Sequence, residues 1–282
     1  MKLSKTILVS HSGLAVDVLA EAIPVLSKGR IKDAMNKGAV LWQRGKQHKR
    51  IRRAQTQVAV GEQLHFNYDE TLLQRQCDPA ICISDQRHYS IWYKPPGMLS
   101  QGNEWGDHLS LLRFVEQHFG SQRQVFLVHR LDREASGLVI IAHQSKTAGL
   151  FSQLMQQHRI QKTYQVLVKG HLADTLLDAG KITLPLDGKA CETQFSRAKV
   201  QPDEVNTLLD VVLISGRKHQ IRRHFAAIGH PVMGDPRYGE HNQDPSGLGL
   251  QAVALSFTLP TPATPVNIQL PPALQRYATV PV

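Results

Sequence analysis

The stretch VHRLDREASGLVIIAH, residues 128–143, sets one carboxylate, Asp132, between Arg130 and Arg133, ahead of Gly137 and the unbroken apolar run Leu138–Ala142. A short run of branched apolar residues with no polar alternation reads as a strand buried on both faces. The residues before it, VFLV at 125–128, are strand-like as well. HRLDREASG therefore reads as a loop between two strands, and loops held by a rigid sheet often carry function. Asp132 has two readings at this point: a turn residue paired with a neighbouring arginine, or a reactive group.

Working outward, TLLDVVLIS at 207–215 reads as a strand feeding a helical segment, RKHQIRRHFAAIG at 217–229. Helical spacing puts Ile221, Phe225 and Ile228 on a core-facing side, with Arg222 beside them and Lys218 one turn earlier. A guanidinium at the edge of a core needs a carboxylate, and Asp132 is a candidate. Lys218 and Arg223 suit phosphate contacts. KTYQVLVKG at 162–170 alternates as a strand, with Tyr164 sharing a face with Val166 and Val168. The remaining segments read as a strand into a proline turn (SIWYKPPGML, 90–99), a helix (LSLLRFVEQHF, 109–119), and a second helix over 145–158. That second helix is expected to be capped by Ser145, with Leu150 and Leu154 inward.

The first quarter of the chain has its own pattern. Leu14, Val18 and Ile23 form a helical apolar face ending at Pro24, and Ser27 can cap a second helix carrying Ile31 and Met35 inward, stopped by Gly38. Small strands follow, with the basic run KQHKRIRR at 46–53 expected on their connecting loop. Residues 1–70 hold twelve Lys/Arg and six Asp/Glu, so they carry +6 of the formal +10 of the whole chain. A surplus of that sign favours a polyanionic partner, a phosphate backbone before an anionic membrane. We expect three parts: a basic front module over 1–70, a connector over 71–84, and a larger second domain over 85–282.

Other classes fall away. The longest strongly apolar run, GLVIIA at 137–142, is far too short to span a bilayer. The amino terminus reads as mature sequence, since His11 and Asp17 interrupt any signal core. Three cysteines with no C-x-x-C pair indicate neither a disulfide framework nor a zinc site, so a cytoplasmic location is expected. No Walker or dinucleotide fingerprint occurs, which favours chemistry done by side chains without a metal or cofactor.

Taken together, HRLDREASGLVI, KTYQVLVKG and GRKHQIRRHFAAIGHPVMGD, in this order and preceded by KPPGMLSQG, resemble the RluA-type family of pseudouridine synthases over about residues 81–260. One departure is Ala135, where that family commonly has threonine. Residues 13–68 resemble the S4-type RNA-binding module, with GLAVDVL standing where Arg-Leu-Asp is usual in the first helix. The resemblance implies an α+β fold with a mixed, mainly antiparallel central sheet flanked by helices and loops. It also implies an isomerase that turns uridine into pseudouridine with no cofactor. Asp132 would act at the sugar as nucleophile or base, Arg222 would pair with it, and Tyr164 would line the base pocket.

By the same resemblance Arg130 would fill the gap left by the flipped nucleotide; His129 is expected to shape the loop and is also counted among the RNA contacts. Lys28, Arg30, Lys32, Lys49, Arg50, Arg52 and Arg53 are the expected phosphate contacts of the front module, joined by Lys218 and Arg223. The expected partner is RNA, large-subunit ribosomal RNA first and transfer RNA second. Monomers suffice, and no membrane is involved. The rival reading is a non-catalytic RNA-binding or ribosome-assembly protein on the same scaffold. A DNA-binding regulator would need a helix-turn-helix pattern that the sequence lacks.

Overall fold

The computed structural model describes residues 1–199, 205–213, 216–260 and 263–277. They form two compact units: Met1–Cys77 with Met98–Gln122, and Asp78–Gly97 with the chain from Arg123 onward. Among the described residues no helix is long and apolar enough to cross a membrane.

The first unit packs helices Ala15–Ala22 and Lys28–Asn36 with an antiparallel sheet in the order Lys2–Leu8, Gln63–Asp69, Val40–Arg44, Gln47–Arg50. Ser27 accepts the backbone N–H of Arg30 at 3.3 Å, the cap its sequence suggests, and Ile31 and Met35 are buried with Leu19, Leu64 and Phe66. The basic run is not a loop. Gly45, at φ +57°, turns the chain so that Gln47–Arg50 pairs as an edge strand, and Ile51 anchors its end in the core. Residues 98–122 return to this unit and contribute the helix Leu111–His118, whose Leu111 and Val115 are buried. The boundaries read from sequence ran straight past this excursion.

The second unit is built on a sheet of ten strands among the described residues. Its main path runs Lys181–Ile182, Thr193–Arg197, Thr207–Leu213, Ile160–Val168, Leu250–Pro260, Ser136–Ala142, Tyr89–Lys94, Ile81–Gln86. Strands Ser136–Ala142 and Leu250–Pro260 run parallel, and the other pairings are antiparallel. The fold is thus α+β with a mixed, mainly antiparallel sheet. Ile81–Gln86 begins inside the stretch expected to be a connector, 71–84; it is a strand because its modest alternation is completed by pairing with Tyr89–Lys94.

All seven residues of Ser136–Ala142 are buried, as an unbroken apolar run requires. The helix Ser145–Gln156 lays Phe151 and Leu154 on this sheet, where Phe151 meets Tyr89 and Phe257 edge to face. Gln144, not Ser145, occupies its cap position, and no side chain caps it. The helix carrying Arg222 is short, Gln220–Ala227, so Lys218 precedes it rather than lying one turn back along it. Ile214 and Ser215, the end of the strand expected over 207–215, lie outside the described residues.

Candidate active site

The loop holding Asp132 is fixed from beneath by main-chain contacts. Lys94, at the end of its strand, is fully buried and donates through Nζ to the carbonyls of Pro95 at 2.9 Å and Ala135 at 2.6 Å. The N–H of Gly97 donates to the carbonyl of Arg133 at 2.7 Å. On exit from the loop, Gly137 has φ +118°, and a β-carbon there would meet the carbonyl oxygen of Ala252 at 2.2 Å. Only glycine permits that approach of the two parallel strands. KPPG and ASG thus act as two clamps on one turn, and their effect is to present Asp132 at a fixed height above the sheet.

Arg222 reaches the same place from its helix. Its Nη1 donates to Asp132 Oδ2 at 2.9 Å, while Nε and Nη2 form a fork on Asp235, at 2.7 Å to Oδ2 and 2.8 Å to Oδ1. Asp235 Oδ1 also accepts the backbone N–H groups of Arg237 at 2.8 Å and Tyr238 at 3.1 Å. Arg222 and Asp235 are buried, whereas the Asp132 side chain keeps 21% of its surface exposed. Burial opposes the charge on Arg222, but the bonds to Asp235 and Asp132 outweigh it and hold the guanidinium above its ordinary value. Burial likewise opposes ionisation of Asp235. There the Arg222 fork and the two backbone donors prevail, keeping its carboxyl below the usual carboxylate range.

His219 completes the surround of Asp132. It sits in the left-handed region at φ +53°, immediately before the helix, with Nε2 3.6 Å from Asp132 Oδ1 and Nδ1 2.9 Å from the Tyr238 hydroxyl. Burial lowers its pKa more than Asp132 raises it, so the ring is neutral near pH 7. Tyr164 stands on Ile160–Val168, and a small cavity of about 70 Å³ is lined by Tyr164, Asp132, Arg130, Arg222, His219 and Leu250 among others. Burial, and next the Asp132 carboxylate, push the Tyr164 phenol well above its ordinary range, so it too is neutral at pH 7.

The three residues expected to carry chemistry thus share one cavity, and Arg130 lies exposed at its rim with no ion pair among the described residues. His129 is a correction. It is buried, its Nε2 accepts the backbone N–H of Ile140 at 3.3 Å, and burial drives its pKa down to about 3. It braces the loop and offers RNA no surface.

The basic residues divide. Arg50 and Arg52 both pair with Asp107, Arg30 with Glu70 at 2.6 Å, Lys28 with Asp17 at 2.9 Å and Arg223 with Asp187 at 2.9 Å. Lys49 lies over the Trp42 ring at 4.5 Å. Lys32, Arg53 and Lys218 are exposed and make no ion pair among the described residues. Sequence reasoning missed Asp235, His219 and Lys94 as parts of the site. Asp235 lies within GHPVMGDPRYG, where an aspartate next to a proline reads as an ordinary turn residue. The signal that could have exposed it is Arg222 itself, a buried fork with more donors than one carboxylate can occupy.

Residues 88–227 match the protein-family model described as RNA pseudouridylate synthase. The sequence is 33% identical over 205 residues to the tRNA pseudouridine synthase C of Haemophilus ducreyi, covering 62% of this chain and 84% of that protein. It is 30% identical over 207 residues to the dual-specificity RNA pseudouridine synthase RluA of Yersinia pestis, covering 67% of this chain and 97% of that one. Among solved structures, Human RNA Pseudouridylate Synthase Domain Containing 1 superposes with a TM-score of 0.57 at 21% identity, over 70% of this chain and 86% of that chain, a likeness of fold.

Proposed function

The chain belongs to the RluA-type family of RNA pseudouridine synthases, isomerases that convert uridine to pseudouridine in RNA, and from this premise we propose that Asp132 is the carboxylate that starts the reaction. The observation that carries the reading is the 2.9 Å contact from Arg222 Nη1 to Asp132 Oδ2 at the floor of a cavity that also holds Tyr164. The guanidinium fixes the carboxylate by a single bond to one oxygen, and the Asp132 side chain keeps 21% of its surface exposed for a ligand to meet.

The reaction breaks the bond between uracil N1 and ribose C1′, rotates the base and joins C5 to C1′; the C5 proton leaves to solvent and N1 takes one up, so nothing is gained or lost. Asp132 labilises the first bond in one of two ways: by adding to C1′, a bond that C5 then displaces, or by taking the proton at C2′, which returns as C5 joins C1′. Arg222 neither gives nor takes a proton; it holds the carboxylate in place. Tyr164, a neutral phenol, packs against the base and keeps it in the cavity while it turns. Its high pKa makes it a poor base for C5. Arg130, at the rim, fills the space left when the uridine is flipped out, at a cost of a few kcal/mol in stacking.

The front unit, read as an S4-like module over residues 1–70, supplies phosphate contacts through Lys32 and Arg53. Large-subunit ribosomal RNA is the first substrate to try and transfer RNA the second. A monomer working in the cytoplasm suffices, since every group invoked comes from one chain. Asp132→Asn is expected to abolish pseudouridine formation in RNA that the wild type converts, while RNA affinity stays within about two-fold. Normal product from that variant removes Asp132 from the mechanism. A kinetic isotope effect from deuterium at ribose C2′ separates the two routes for the first bond, being large only if that proton leaves.

A further inference from the structure

Two residues before Tyr164 on the same strand, Lys162 is 7% exposed: most of the residue is buried, and it lines a cavity rather than reaching the open surface. Among the described residues it has no carboxylate or hydrogen-bond partner. The titratable group its charge acts on is His129, which burial keeps neutral and which cannot balance it. Burial also lowers the Lys162 pKa, with no opposing contribution. An isolated buried cation is costly unless something else supplies the counter-charge.

A cavity of about 270 Å³ lies in front of it. Besides Lys162, its polar wall is His158, Gln161 and Gln194, all potential donors, and among the described residues no aspartate or glutamate lines it. The opening is at Gly216, which is exposed: Lys162 Nζ is 4.0 Å from where a β-carbon on Gly216 would stand. Leu213 lines both this cavity and the one holding Asp132 and Tyr164, so the two are neighbours across one side chain. On a strand, positions 162 and 164 are roughly 7 Å apart and point to the same face.

We propose that this cavity binds a phosphodiester of the substrate RNA adjacent to the target uridine, with Lys162 as its cation. This rests on the reading of the Asp132 cavity as the uridine site. A phosphate entering through the gap at Gly216 would meet a preformed ammonium and neutral donors, with no carboxylate to repel it. The lysine is then paired only when RNA is seated, and the extended backbone on either side of a flipped nucleotide is held at a second point.

The test uses a short RNA that the full-length wild type converts; turnover of the unmodified RNA, measured first, examines the reading of the uridine site independently. Neutral methylphosphonates are then placed one at a time at the linkages flanking the target. One of them is expected to raise the wild-type KM by about ten-fold or more. Lys162→Met should raise KM for unmodified RNA by a similar factor and be indifferent to that same neutral linkage, and Lys162→Arg should recover part of the loss. Gly216→Leu, which fills the cavity and leaves the lysine in place, should behave as Lys162→Met does, with an unchanged Tm. If the losses from Lys162→Met and from every neutral linkage multiply instead of overlapping, the assignment is overturned. It is overturned too if no linkage matters while inorganic phosphate raises the Tm of the wild type but not of Lys162→Met, since the cavity would then hold a free anion.

Discussion

Replacing Asp235 by asparagine should cripple an enzyme whose reacting carboxylate is untouched. In the wild type the Asp235 carboxylate takes two of the three guanidinium contacts, at 2.7 and 2.8 Å, and both groups are buried. Asparagine keeps the shape and can still accept from the backbone of Arg237 and Tyr238, but it turns an amide toward a guanidinium that can only donate. Breaking a buried pair typically costs about 3–5 kcal/mol, and the surviving Asp132 contact argues for the lower end. For a chain of this size that is a fall in Tm of about 6–12 °C. Activity should fall further than stability implies, because Arg222 then loses its fork and leans on the group it is meant to hold still, with Glu134 Oε2 at 4.0 Å and the Tyr238 ring at 5.3 Å as weaker supports. A displacement of about 1 Å at Asp132 corresponds to roughly 100-fold in kcat. Release of tritium from RNA labelled at uridine C5 measures the rate, and a melt by circular dichroism the stability. Since the folded pKa of Asp235 is depressed, its stabilisation is present above the unfolded value of about 4 and is lost as pH falls through the folded one, so the two proteins should converge in acid. A variant with wild-type Tm and kcat at pH 7 would show that the fork is incidental and that Arg222 is placed by its helix alone.

Three further outcomes follow from individual groups. His219 is neutral near pH 7, but below its lowered pKa the imidazolium faces Asp132 at 3.6 Å, so activity should show an acid limb that His219→Gln moves or removes; an identical pH–rate profile would refute the contact's role. His129, neutral in the fold with a pKa of about 3 against an ordinary 6.5, should make stability decline as pH drops from about 6.5 toward 3, by up to a few kcal/mol, because the unfolded chain binds the proton more readily. His129→Asn should flatten that slope, and urea titrations across the interval will show whether it does. Removing the charges of Lys32 and Arg53, which no acid offsets, should lower RNA affinity and reduce the salt dependence by about 0.7 for each phosphate left without its cation. The same change at Arg50 should instead destabilise the first unit, because Asp107 then keeps only Arg52 as its partner.

What could be read from sequence was whatever depends on local periodicity and charge. The buried strand Ser136–Ala142, the helix capped by Ser27 and the Asp132–Arg222 pair follow from an apolar run, a capping serine and an arginine on a core-facing helix. What could not be read depends on partners distant in the chain. Nothing local marks Lys94, before two prolines, as a core residue; it is fully buried because carbonyls some forty residues away, such as that of Ala135, satisfy it. Arg50 and Arg52 looked free for RNA because their acidic partner, Asp107, lies on a segment that returns to the first unit after the main sheet has begun. The helix of Arg222 starts later than its pattern suggests, since His219 adopts a left-handed conformation that no local preference demands.

The sharing of Arg222 between two carboxylates has a chemical consequence that a simple pair would lack. One guanidinium against one aspartate is neutral, and a fork-to-fork contact would tie up both oxygens of the group that must react. Here Asp235 takes the fork and Asp132 receives a single bond, with Glu134 Oε2 a further 4.0 Å contact, so carboxylates outnumber the one guanidinium and the carboxylate that faces the cavity is the less fully bonded of the pair. Burying that surplus charge would be prohibitive, and it is not buried: Asp132 keeps part of its surface open, while the fully enclosed partner is the one with four donors. The fold therefore places its solvation where the substrate will arrive. On the proposed role of Asp132, a uridine seated in the cavity would displace that solvent from the carboxylate, which would then become more reactive only when a substrate is present to receive it.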